Sequence, residues 1–226
     1  DTFPKKISIP KPNFKNSWKN YPFTKKNEII SRIKNAHIIV TNKTQLEGST
    51  LKYANNLELI AITATGTNII DLDYCKDNKI SVCNLRDYAS ISVAEHVFAL
   101  ILSLSKQIKG LEKDIKSNIW QKRKVFALLN RKISDIHGKN IGIIGFGNVG
   151  KRVAEISHAL GMNVFIYSSH FNSIKNKFNN YKSSDLNSII SDSDIISFHC
   201  KPNKDGSSIL SINELKLMKP SSIVIN

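Results

Sequence analysis

Three glycines, Gly145, Gly147 and Gly150, stand at G-x-G-x-x-G spacing within the stretch IGIIGFGNVGKRVAEI. They follow a β-branched run, Asn140 to Gly145, and precede an amphipathic stretch that puts Val153, Ile156 and Leu160 on one face. A strand that turns sharply into a helix needs a small residue at the turn, a second where the backbone must approach an anion, and a third where helix and strand pack closely. Free N–H groups at the helix start and the helix dipole then attract negative charge. The chemistry is pyrophosphate binding, and the ligand class is a dinucleotide. The following strand ends at Ser168 and Ser169, where an acidic residue is expected to bind the adenosine ribose diol. A carboxylate there would repel a 2′-phosphate, so serine removes a reason to reject NADP and leaves both NAD and NADP open. His170, Lys175 and Lys177 either supply positive charge for such a phosphate or are plain exposed loop residues.

Other reactive side chains do not assemble into a catalytic set. Glu95 and His96 are neighbours on a predicted helix, so their side chains diverge by about 100° and cannot act as a base and its orienting group. His96 is read as a packed or interface residue. His199 follows a strand with no carboxylate beside it in sequence. Cys75, Cys83 and Cys200 are widely spaced and lack any CxxC pair, which points to reduced thiols rather than disulfides or zinc. At Ala64-Thr65-Gly66-Thr67-Asn68 a small residue and a glycine end a strand; such a loop either presents adjacent N–H groups to an anion or is an ordinary turn.

These groups are carried by an alternation of short β-branched runs and amphipathic stretches, which predicts an α/β fold with parallel sheets. Strands are expected at 36–40, 57–63 and 80–83, each suited to burial on both faces. A helix around Ile29, Ile30 and Ile33 precedes the first. The run from Ser90 to Lys106 is apolar nearly all round and predicts a buried helix, followed by a more polar helix from Gln107 to Asn118. Residues 121–139 are charged and show no clear period. Beyond them come strand 141–145, helix 148–161, strand 163–167, a short strand near 179–182, helix 184–191, strand 194–198, helix 211–218 and strand 222–225. A domain boundary is expected near Ala89, giving units 1–89 and 90–226. Both read as incomplete: the chain ends on an apolar strand, and "DTFPKK" is not the first strand a doubly wound domain needs.

A chain of 226 residues, 41% of them hydrophobic, can bury a sizeable core. No apolar run approaches the ~18 to 20 residues of a membrane span, and the N-terminus lacks the apolar core of a signal peptide, so a soluble cytoplasmic protein is expected. The formal charge of +15 invites a nucleic-acid reading, but the lysines are scattered among Asn and Ile without an interleaved aromatic stripe. A general compositional bias accounts for the charge better.

Seven stretches, in order, resemble the D-isomer-specific 2-hydroxyacid dehydrogenases, most closely their glycerate dehydrogenase (hydroxypyruvate reductase) branch: AHIIVTNK (36–43), ATGTNIIDLDYC (64–75), SVCN (81–84), SVAEHVFALIL (92–102), GKNIGIIGFGNVG (138–150), DIISFHCKPN (194–203) and ELKLMKPSSIVIN (214–226). The resemblance covers nearly the whole chain. It implies two doubly wound domains, a flavodoxin-like substrate domain and a Rossmann NAD(P)-binding domain, around a cleft. It implies hydride transfer between a nicotinamide and C2 of a small 2-hydroxy or 2-oxo acid such as glycerate or hydroxypyruvate, by a homodimer. Carried over, Thr65, Gly66 and Thr67 would hold the substrate carboxylate, with Lys43 adding charge nearby. Asn148 and Val149 would contact the pyrophosphate, Ser168 the ribose with Ser169 beside it also binding the cofactor, Ser92 the nicotinamide region, and His199, Cys200 and Lys201 would cover the cofactor. The family usually has His-Cys-Pro where this chain has His-Cys-Lys-Pro. The family's catalytic Arg, Glu and His are expected beyond Asn226, so no catalytic residue is assigned within these residues. The alternative is a catalytically inactive, corepressor-like relative that binds NAD(P) and acts through assembly.

Overall fold

Alternating apolar runs and helical stretches build two parallel sheets in the computed structural model, which describes residues 10–174, 177–201 and 208–226. The chain divides into two compact units, Asp1–Tyr88 and Ala89–Asn226.

In the first unit, α1 (Ile29–Ile33) leads to β1 (Ile38–Thr41), α2 (Gly48–Leu51), β2 (Leu59–Ile62), α3 (Leu72–Asp77) and β3 (Ser81–Asn84). The three strands are parallel in the order β1-β2-β3, with Ile38 opposite Leu59 and Leu59 opposite Ser81. The core gathers Ile29, Ile33, Leu46, Leu51, Ile60, Ile62, Ile70 and Cys75. Asp71 ties two helices together: its carboxylate accepts from the Tyr74 N–H at 3.0 Å, capping α3, and from the Gly48 N–H at 3.1 Å. Only β2 alternates half-buried with buried residues; β1 and β3 each keep exposed positions. The expected two-faced burial therefore fails for these two, because each is an edge strand of the three.

The second unit opens with α4 (Ser90–Ser105), α5 (Ile108–Lys116) and α6 (Ile119–Arg123). It continues as β4 (Asn140–Ile144), α7 (Asn148–Ala159), β5 (Asn163–Tyr167), α8 (Phe171–Ile174), β6 (Lys182–Ser183), α9 (Leu186–Asp192), β7 (Ile195–Phe198), α10 (Ile212–Leu217) and β8 (Ile223–Ile225). The sheet runs β6-β5-β4-β7-β8, all parallel, so the strand order reverses between β4 and β7. Ile141, Ile143, Ile166, Ile195 and Ile196 are almost wholly buried, as strands covered by helices on both faces require. In an open α/β sheet the carboxyl ends at such a reversal form the ligand crevice.

The expectation of a buried α4 holds for one face only. Ala94, Val97, Phe98 and Ile101 pack into the core with Val153 and Ala154 of α7, whereas Ile91, Leu100, Leu102 and Leu104 are exposed. All-round apolarity reports that both faces avoid water, not that this chain covers both. α4 ends where Gln107 adopts a left-handed φ of 53°, and α5 departs at 57°. The short helix α6 runs from Ile119 into the start of the aperiodic 121–139 segment. Among the described residues no single helix is long and apolar enough to cross a membrane.

Candidate functional site

The glycine turn sits at the reversal point, and each glycine answers a different constraint. Gly145 has a φ of +99°, and a Cβ built there would lie 2.6 Å from the His199 carbonyl oxygen and 2.7 Å from the Cys200 nitrogen. A side chain would therefore wedge apart the ends of β4 and β7. A Cβ on Gly150 would collide with the Gly145 carbonyl oxygen, so its absence lets α7 lie against β4. A Cβ on Gly147 would meet nothing within 4 Å, which marks open space directly over the turn. No side chain caps α7, and among the described residues the N–H groups of Asn148, Val149 and Gly150 have no acceptor. Asn148 is exposed, and Val149 packs partly against the core. Unpaired amides, a helix dipole and free space at one point fit a pyrophosphate.

From this turn a groove of about 1180 Å³ extends over the ends of β5, β6 and β7, lined by Gly145, Tyr167, Ser168, Ser169, Cys200 and Lys201 among others. Ser168 is half-buried, and its hydroxyl accepts from the His170 N–H at 3.4 Å, while Ser169 and His170 are exposed. Lys177 is exposed, and Lys175 lies outside the described residues. Sequence reasoning missed Ser183, Ser184, Asp185, Ser208, Ser211 and Glu214 on the same groove. Asp185 caps α9, accepting from the Ser188 N–H at 3.0 Å and its hydroxyl at 2.6 Å. Glu214 and Ser211 form a capping box on α10, with the Ser211 N–H donating to Glu214 at 2.8 Å. The bonds from Ser188 and Ser211 hold these two carboxyls below the usual carboxylate range. The S-x-x-E spacing of the second pair was a readable signal.

His199, just after β7, is half-buried. One of its ring nitrogens, Nε2, is 2.8 Å from the hydroxyl of Ser197, a wholly buried residue of β7. Burial pushes the His199 imidazole down to about 4, so it is neutral at pH 7 and brings no positive charge to a phosphate. Burial raises the Cys200 thiol, which removes it as a ready nucleophile. Ser92 is exposed in the first turn of α4, as are Glu95 and His96 in the next. Among the described residues no cluster of His, Cys, Asp and Glu could hold a metal.

In the first unit, Ala64 to Asn68 follow β2 at its carboxyl end. Three of their carbonyls are engaged: Ala64 accepts from the Leu85 N–H at 3.2 Å, Thr65 from the Asn84 amide at 2.7 Å and Thr67 from the Ile70 N–H at 3.0 Å. The N–H groups of Thr65, Gly66 and Thr67 have no acceptor among the described residues. Thr65 and Gly66 are exposed and Thr67 is half-buried. Carbonyls turned to the protein and amides left free make a loop suited to an anion. Lys43 follows β1 at the same sheet edge, is exposed, and lines a separate hollow of about 240 Å³ with Lys26, Gln45 and Glu47.

Residues 98–226 match the family model described as D-isomer specific 2-hydroxyacid dehydrogenase, NAD binding domain. The chain is 34% identical to a putative 2-hydroxyacid dehydrogenase of Haemophilus influenzae, across 99% of this chain and 70% of that protein. It is 35% identical to the glycerate dehydrogenase of Methylorubrum extorquens, across 95% of this chain and 66% of the relative. Against the hydroxypyruvate reductase of Blautia hydrogenotrophica the identity is 30%, across 88% of this chain and 62% of that one. The chain thus spans about two thirds of the length of these relatives. Among solved structures, an acyclic imino acid reductase in complex with NADPH and D-Arg superposes with a TM-score of 0.77 at 29% identity, over 96% of this chain and 71% of that one. The D-lactate dehydrogenase of Aquifex aeolicus, complexed with NAD and lactic acid, gives 0.75 at 30% identity, over 87% and 58%.

Proposed function

Because the chain belongs to the family of D-isomer specific 2-hydroxyacid dehydrogenases, we propose that it serves hydride transfer between a nicotinamide dinucleotide and a small 2-hydroxy or 2-oxo acid of the glycerate and hydroxypyruvate class. The observation that carries this reading is the glycine turn at the strand-order reversal, with free amides and free space where a pyrophosphate would lie. When bound, the nicotinamide supplies the hydride.

The protein's own residues bind and orient. The amides of Asn148, Val149 and Gly150 hold the pyrophosphate, and Ser168 and Ser169 meet the adenosine ribose. The amides of Thr65, Gly66 and Thr67 hold the substrate carboxylate, with Lys43 adding positive charge. A carbonyl that receives hydride develops negative charge and needs both a donor aimed at it and a proton. Neither role is assigned to a histidine of this chain: His199 is committed to Ser197, and His96 and Glu95 diverge on α4. Val93, Leu100 and Leu104, exposed and on one face of α4, support a homodimer joined there, and three free cysteines fit a reducing, cytoplasmic setting.

Gly66→Val tests the division of labour. A Cβ at Gly66 would meet only the Asn68 side-chain oxygen, at 3.0 Å, so the loop can accept the change while the added methyls crowd its amides. The KM for hydroxypyruvate should rise at least about tenfold, the scale of one lost charge-assisted hydrogen bond, with dinucleotide affinity unchanged. An unchanged KM would remove the loop from substrate binding.

A further inference from the structure

Resting on that reading, we propose that the groove takes a dinucleotide whose adenosine ribose carries a 2′-phosphate in preference to one with a free ribose diol, with Ser168, Ser169 and Lys201 as the selecting residues. Three observations converge. The end of β5 reads Tyr167-Ser168-Ser169-His170, so the position from which a carboxylate would grip the diol and repel a phosphate offers hydroxyl donors instead. The two carboxylates that do line the groove, Asp185 and Glu214, are engaged as helix caps by Ser188 and Ser211. Each faces the amide end of its own helix, which offsets much of its charge locally. Lys201 lines the same groove and ion-pairs with no carboxylate among the described residues, so its charge is available to a ligand.

A ribose diol is bound best by an acceptor, because it offers two donors. A phosphate dianion offers only acceptors at neutral pH and rewards hydroxyls and an ammonium. The groove's uncommitted groups are of the second kind. His199 does not share this role, since its neutral ring is bonded to Ser197.

The test is equilibrium binding to the intact protein, by calorimetry, of 2′,5′-ADP against 5′-AMP and of NADPH against NADH. The phosphorylated member of each pair should bind at least about tenfold more tightly, and the ratio should shrink as salt is raised. Lys201→Gln should reduce that ratio at least about threefold, and Ser168→Asp should invert it, with circular dichroism establishing that both variants are folded. Equal or tighter binding of 5′-AMP and NADH would overturn this inference and leave the dehydrogenase reading standing. A ratio unmoved by Lys201→Gln would overturn the part given to Lys201. If folded protein bound none of the four, the cofactor reading itself would fall.

Discussion

At Gly147 and Gly150 the same added methyl should have opposite consequences. Gly147→Ala places it in empty space, so stability should change by no more than about 1 kcal/mol, the scale of an altered N-cap. On the proposed reading that space takes the pyrophosphate, so dinucleotide affinity should fall at least about tenfold. Gly150→Ala drives the methyl into the Gly145 carbonyl and pries α7 from β4, costing about 1–3 kcal/mol as overpacked sites do. Urea melts paired with fluorescence titrations separate the two effects, and undiminished binding by Gly147→Ala would remove the turn from the site. His199 makes a prediction of a different kind. Its folded-state pKa is lowered from 6.5 to about 4, so the unfolded chain takes up this proton at a higher pH than the folded one. Stability from this group is full above about pH 6.5 and is lost as pH falls toward 4, by up to about 3 kcal/mol. His199→Gln should flatten the stability profile in that window, and an unaltered slope between pH 6.5 and 4.5 would contradict the buried neutral ring.

A side-chain clamp ties the loop after α6 to α5. Arg131 grips the Asp114 carboxylate of α5 through two bonds, of 2.7 and 2.8 Å, while Asn130 adds a third of 3.1 Å. Gly110 leaves the room that the guanidinium fills, since a Cβ there would come within 2.5 Å of Arg131 Nη1. The hydrogen bonds from Arg131 hold the Asp114 carboxyl down to about 2, so the clamp's contribution is present above the ordinary carboxylate pKa and fades as pH drops from about 4 toward 2. Arg131→Met strands a carboxylate that is only 3% exposed. Its melting temperature should fall below wild type clearly at pH 7 and much less at pH 3, which calorimetry at the two pH values reads. This clamp was not legible in sequence: its partners lie 17 residues apart, and the 121–139 segment shows no period to announce it. The glycine turn was legible because its constraints are local to six residues. Ser183, Ser184 and Asp185 were not, since their place on the groove follows from β6 pairing beside β5, a matter of strand order. The strands β4, β5 and β7 could be read from short runs rich in Ile, Val and Phe, whereas one-sided burial of α4 could not be read from a helix apolar all round.

On the scale of the whole molecule, apolar surface remains uncovered in the second unit. Leu100 and Leu104 of α4, Ile108 and Ile115 of α5, and Phe126 and Leu129 in the following loop are exposed, Phe126 fully so and Leu129 at 92%. A two-fold dimer through α4 would cover its share, because an isologous contact buries the same face twice. Residues 106–132 carry nine lysines and arginines against two acids, so two copies meeting near this segment repel each other. The dimer should therefore tighten between low and high salt, and Leu104→Glu should leave a monomer; light scattering after gel filtration reads both. A wild-type monomer at micromolar concentration would remove the dimer. The proposed reaction is hydride transfer to a 2-oxo acid. It is tested most directly by mixing the intact protein with reduced nicotinamide dinucleotide and hydroxypyruvate and following loss of the dihydronicotinamide absorbance. Oxidation should depend on hydroxypyruvate and be weakened by Gly147→Ala. Tight dinucleotide binding with no oxidation by hydroxypyruvate, glyoxylate or pyruvate would contradict it and leave a binding protein in place of an enzyme.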